Sequence, residues 1–193
     1  EACKERARAS FALAGGLHKA AGLTNRTAHL FDCYEANQTV YTVSAYVEGR
    51  TLADICFDSL QDAVRAVAAT AKSIECIHRQ GYLYLDAKPE NILVYEETPE
   101  LVLLFDFDSV IPIGADEHMM TFRLGFTDGF APYEQKLGDL SRIGKYSDVY
   151  GVGALLFFLL FGRAPRAADC GREALYEYDE WKWKARFQDR LYH

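Results

Sequence analysis

Residues 149–161, VYGVGALLFFLLF, are an unbroken apolar run, and this run limits the fold more than any other part of the sequence. It is 13 residues long, whereas a helix needs about 20 to cross a bilayer. The run therefore reads as a buried core helix, and the chain must surround it with apolar partners. Gly162 and Pro165 follow as stop signals. The partners are available, because 50% of the 193 residues are hydrophobic, about one domain's worth of chain.

A second helix is expected over residues 59–79. Leu60, Ala63, Val64, Val67, Ala71, Ile74 and Ile77 recur at three- and four-residue steps and give it one apolar face. Ser59 is its expected N-cap and Gly81 its stop. Residues 3–20 have helical composition, which Gly15-Gly16 should weaken or end. Residues 28–34 and 39–47 are rich in β-branched and aromatic residues and read as two strands around the turn Ala36-Asn37-Gln38. Glu48-Gly49-Arg50 then breaks the pattern. Two short apolar runs, 91–95 and 101–105, flank a turn containing Pro99. Residues 107–140, with Pro112, Gly114, Gly125, Gly129 and Pro132, show no period and read as loop, and 171–193 look helical, polar and aromatic.

The formal charge of −7 and the absence of a long basic run argue against a nucleic-acid ligand. Five scattered cysteines without a C-x-x-C pair read as plain thiols, which fits the reducing cytoplasm. No signal peptide or membrane span is expected. There is no initiator Met, so the beginning is expected to lie upstream of Glu1.

The chemistry concentrates in Tyr84-Leu85-Asp86-Ala87-Lys88-Pro89-Glu90-Asn91, between the long helix and a strand. Asp86 and Asn91 stand five residues apart and frame Lys88, and Asp106 follows fifteen residues after Asn91 at the end of an apolar run. Phosphoryl transfer needs such a set. One carboxylate orients the attacking hydroxyl and accepts its proton, an amide oxygen and a second carboxylate hold Mg²⁺, and a cation offsets phosphate charge.

On these residues the chain resembles the eukaryotic-type protein kinases, in the flavour of the bacterial Ser/Thr kinases. Asp86 then matches the catalytic base, Lys88 the phosphate-contacting lysine of Ser/Thr kinases, Asn91 the inner metal ligand and Asp106 the metal-chelating Asp of D-F-G. Residues 127–135, TDGFAPYEQ, resemble the end of the activation segment, with Thr127 as the substrate-loop threonine and Glu134 as the A-P-E glutamate. Residues 146–153 resemble the opening of the large buried helix, where Asp148 would bond the catalytic-loop backbone. Residues 41–49 look like the last small-lobe strand and the hinge. Ser44 would be the gatekeeper, Ala45 and Val47 would offer backbone groups to adenine, and Leu93 would form the floor. The resemblance covers roughly residues 28–165. It implies an α+β protein-kinase-like fold: 1–47 a remnant of the small lobe with a helix, two strands and the hinge, and 48–193 a mainly helical large lobe. The implied cofactors are ATP and Mg²⁺, and the implied partner is a protein substrate carrying Ser or Thr.

Several positions depart from the family pattern. H-R-D reads Tyr84-Leu85-Asp86, which removes the arginine that would meet a phosphorylated activation loop. The D-F-G glycine is Asp108, and A-P-E carries an extra Tyr133. There is no Gly-rich loop and no strand lysine; Lys4 is followed at once by Glu5, the match to the small-lobe helix glutamate. A chain of this extent should bind ATP weakly and expose apolar surface beside Phe31 and Val43. A pseudokinase acting as a binding or scaffolding module, and a small-molecule kinase, are the competing readings. His29, His78, Trp181 and Trp183 read as structural or packing residues.

Overall fold

Residues 2–20, 22–95, 98–115 and 125–166 are described by the structure, a computed structural model. Helix α1 spans Ala2–His18 and runs straight through Gly15-Gly16. Each glycine costs a helix about 1 kcal/mol. Burying Leu17 beside Ala14 offsets this, since a buried leucine contributes about 1.5–3 kcal/mol.

Strands β1 (Leu30–Ala36) and β2 (Thr39–Ser44) pair antiparallel, with the Tyr34 and Tyr41 rings stacked at 5.4 Å. Asn37 and Gln38 both take positive φ, 51° and 63°, as a two-residue hairpin turn requires. The first strand begins two residues later than the sequence suggests, at Leu30, which pairs with Ser44, the last residue of β2. The second ends three residues early, at Ser44. Phe31 is 63% and Val43 39% exposed, the apolar surface anticipated from the sequence.

The expected break after Glu48 is a short strand, β3 (Gly49–Thr51). A Cβ at position 49 would lie 2.4 Å from the Val94 carbonyl, so glycine is needed for close approach. Helix α2 spans Leu60–Arg79, and the Ser59 hydroxyl accepts from the Asp62 N–H at 3.1 Å. Its buried stripe keeps Ala63, Val67, Ile74 and Ile77 of the expected one but is rotated, with Leu60 and Ala71 only partly buried. Val64 is 45% exposed, and Ala66, Thr70 and Ser73 face the core. The two hydroxyls donate to the Ala66 and Ala69 carbonyls, each at 2.9 Å, so burying them leaves nothing unsatisfied.

Strand β4 is Tyr82–Leu83, β5 is Ile92–Tyr95, β6 is Val102–Leu104 and β7 is Ile111–Pro112. The order β3-β5-β6 makes one antiparallel sheet, and β4 pairs with β7. Residues 107–140 are thus not simply loop. They include β7, helix α3 (Tyr133–Leu137) and a 3-10 turn at Leu140–Arg142. Elements this short carry no sequence period.

Helix α4 spans Lys145–Phe161 and ends at Gly162, which is left-handed with φ 70°. It packs on α2 and buries Ala154, Leu155 and Leu159, while Val149 faces outward. Its burial is therefore one-sided among the described residues, where the sequence suggested burial all round. The core gathers α1, α2, α4, β5 and β6, and a smaller apolar cluster holds Leu83, Leu85, Ile111 and Ala115. Arg26 anchors the segment before β1 to α2 through Ser73 Oγ at 3.1 Å, and its carbonyl accepts from the Leu104 N–H at 2.8 Å. No helix among the described residues is long and apolar enough to cross a membrane. Residues 171–193 with Trp181 and Trp183, and part of the β5–β6 turn, lie outside the described residues.

Candidate active site

The segment between β4 and β5 is held from below by one buried carboxylate. Asp148, at the start of α4, is 1% exposed. Its Oδ2 accepts from the Tyr84 N–H at 3.0 Å and its Oδ1 from the Leu85 N–H at 2.7 Å. His78 Nε2 lies 2.7 Å from Oδ2, so the structural reading of that histidine holds. Ionic acceptors of this kind strengthen buried hydrogen bonds. The grip matters because Leu85 sits at φ 62°, the left-handed region that an L side chain without a local hydrogen bond avoids.

Strain at Leu85 aims the next residue. Asp86 Oδ2 accepts from Lys88 Nζ at 2.8 Å and from Asn91 Nδ2 at 2.8 Å. Its Oδ1 accepts from Thr127 Oγ1 at 3.1 Å. Four residues singled out in the sequence therefore meet at one carboxylate, and Thr127 arrives from 41 positions away. Asn91 Nδ2 also reaches the Asp86 carbonyl at 3.1 Å. Both amide hydrogens are thereby engaged, leaving the amide oxygen as the group suited to a cation.

Asp106 is brought to Asn91 through the backbone, because the Phe105 N–H donates to the Asn91 carbonyl at 2.9 Å. Asp106 itself is left-handed, φ 54°, and exposed, and its Oδ1 accepts from the Asp108 N–H at 3.2 Å. Tyr84 is fully buried. Its hydroxyl donates to the Phe105 carbonyl, and its ring meets the buried Phe107 edge-on at 5.9 Å. Burial pushes the Tyr84 phenol well above its ordinary range, and the charges of Asp86, Asp106 and Asp148 add to this.

A cleft of about 330 Å³ opens between α1, the β1–β2 hairpin and residues 104–108. Ser44, Asp106 and Asp108 line it, with Phe11, Leu30 and Val40 as apolar walls. Ala45, Val47 and Leu93 do not line it. The Ala45 N–H is already spent on the His29 carbonyl at 2.7 Å, which leaves only its carbonyl to offer a base. Leu93 is half-buried in β5, opposite Thr51 of β3.

Two further residues had no sequence signal. Arg6 of α1 reaches the Asp108 carbonyl at 3.2 Å, whereas Glu5 is exposed to solvent. Lys4 and Arg8 of the same helix pair with Glu35 of β1. Gln135, 2% exposed, donates to the carbonyls of Leu85 at 2.8 Å and Gly125 at 3.0 Å. Glu134 accepts from Ser147 Oγ at 2.8 Å.

Among the described residues no group of three His, Cys, Asp or Glu could hold a metal. Asp106 and Asn91 offer one carboxylate and one amide oxygen. That set is too sparse for a resident ion, but it suits Mg²⁺ carried in on phosphates, which keeps several waters and takes one or two protein ligands.

Several curated kinases are similar in sequence to this chain. The chain is 31% identical over 137 residues to a probable serine/threonine-protein kinase of Clostridium perfringens, covering 67% of this chain and 19% of that protein. It is 28% identical over 142 residues to the serine/threonine-protein kinase PknB of Mycobacterium leprae, covering 72% and 22%. Against myosin light chain kinase 3 of Danio rerio it is 26% identical over 173 residues, covering 84% and 24%. The chain thus spans about a fifth to a quarter of the length of these curated relatives. The family model for the protein kinase domain matches residues 18–187, most of the sequence, and the chain belongs to the protein kinase domain family.

Proposed function

We propose that this domain moves the γ-phosphoryl group of ATP to a Ser or Thr hydroxyl of a protein substrate. The observation that carries the reading is the convergence of Lys88, Asn91 and Thr127 on the two oxygens of Asp86. Asp86 accepts the proton of the attacking hydroxyl, which approaches from the Thr127 side, at Oδ1. Lys88, paired with Asp86 here at 2.8 Å, is within reach of a transferred phosphate and offsets its charge. The Asn91 amide oxygen, left over once its NH₂ is engaged, and the exposed Asp106 carboxylate are the groups that would take a cation. Mg²⁺ bound there would neutralise charge on the phosphates. Of the residues expected at the adenine, Ser44 lines the cleft and would border it. Residues 1–47 would then form the small-lobe part and hinge, and 48–193 the large lobe.

The test compares the full-length gene product with its Asp86→Asn variant, using labelled ATP and a generic protein acceptor. Loss of a positioned general base should lower turnover about 10²–10⁴-fold and leave nucleotide binding in place. Equal turnover in the two proteins overturns the assignment. Nucleotide binding with no transfer in either points to the pseudokinase, a binding module on the same fold.

A further inference from the structure

The buried amide of Gln135 has no part in the chemistry proposed above, yet it touches both halves of the site. Its Nε2 carries two hydrogens. One goes to the Leu85 carbonyl at 2.8 Å, fifty positions away, and the other to the Gly125 carbonyl at 3.0 Å. Leu85 is the left-handed residue before Asp86, and Gly125 lies two residues before Thr127.

The contacts close a ring. Asp148 holds the Leu85 N–H at 2.7 Å and Gln135 holds its carbonyl, so the strained residue is fixed on both sides. Asp86 accepts from Thr127 at 3.1 Å, and the chain from Thr127 returns through Gly125 to Gln135. The side chain of Leu85, an uncharged hydrocarbon, can contribute no ionic tie and is buried in the apolar cluster of Leu83, Ile111 and Ala115. We propose that Gln135 is a positioning residue: its single amide group sets the catalytic loop and the substrate loop in register, a neutral clamp that needs no phosphate. The proposal rests on the kinase reading only for its effect on turnover.

The physics favours a clamp over a space-filler. A side chain that only filled this site would be served better by an apolar group, since burying an amide is costly unless its hydrogens are used. Here both are used, on two segments that no strand or helix joins among the described residues. A shift of about 1 Å in a reacting group costs on the order of 10²-fold in rate, so loosening either end should show in kcat.

The experiment uses the full-length protein with Gln135→Ala and Gln135→Met, the second keeping the volume while removing both donors. Amide hydrogen exchange should quicken in residues 85–88 and 125–131 of both variants and stay unchanged in α2. Turnover on a protein acceptor should fall by about 10- to 100-fold, with the KM for ATP unchanged. The loss should also be non-additive with Thr127→Ala, because both substitutions open the same ring. Unchanged exchange at both segments, or an additive cycle, overturns the clamp. Gln135→Met matching the parent in exchange and kcat shows that only volume matters, and also overturns it. Should the parent transfer no phosphate, the kinase reading falls while exchange still decides the clamp.

Discussion

Replacing Asp148 by alanine removes the acceptor of two buried backbone donors at once. The Tyr84 N–H at 3.0 Å and the Leu85 N–H at 2.7 Å lose their only described partner, in a region closed to water. An unsatisfied buried donor costs about 1–3 kcal/mol, so the pair costs roughly 2–6 kcal/mol. His78 adds little, because it is partly exposed and can find water. Relaxation at Leu85 recovers part of the loss, since without the carboxylate the residue can leave its left-handed φ of 62°. That escape moves Asp86. The net expectation is about 3–4 kcal/mol, a large share of the 5–15 kcal/mol of a typical domain. At roughly 2–4 °C per kcal/mol for a chain of this size, Tm should fall by about 6–16 °C. Asp148→Asn keeps one acceptor oxygen but turns an NH₂ toward the other donor, and should cost about 1–3 kcal/mol. Equilibrium urea unfolding of parent and both variants measures the differences, and amide exchange at Tyr84 and Leu85 locates them. A loss below about 1 kcal/mol for Asp148→Ala would refute the argument, because it would mean that water or another group already satisfies those donors.

Two other perturbations follow from single contacts. The Tyr84 phenol is held above its ordinary value near 10. Its contribution is therefore complete below that pH and declines as pH rises further, where the unfolded chain ionises and the folded one resists. Tyr84→Phe should cost about 1 kcal/mol at neutral pH, through the lost bond to the Phe105 carbonyl, yet show a shallower fall in stability above pH 10. Urea midpoints measured from pH 7 upward check both, and parallel curves for the two proteins would contradict the assigned burial. Gly49→Ala places a methyl 2.4 Å from the Val94 carbonyl, where backbone must give way. Overpacking of this kind costs about 1–3 kcal/mol, so a thermal midpoint equal to the parent's would show that β3 moves freely from β5.

What the sequence determined by itself is local. The period of α2, its cap at Ser59 and the stop of α4 at Gly162 were legible because helix geometry repeats every three to four residues and capping acts within one turn. Asp86, Lys88 and Asn91 were legible for a similar reason, since one short loop spaces them to meet. Tertiary structure decided the rest. Gly49 looks like a break in the sequence and becomes a strand because β5 lies beside it. Gly15-Gly16 looks like an end and stays helical because Ala14 and Leu17 are buried against the core. Arg6 displaced Glu5 at the Asp106 segment, and Gln135 joined two loops, through hydrogen bonds between residues 102 and 50 positions apart. Contacts at such separation depend on how packed elements present their backbone carbonyls. No periodicity or motif along the chain encodes that, because the partner exists only once the core has closed.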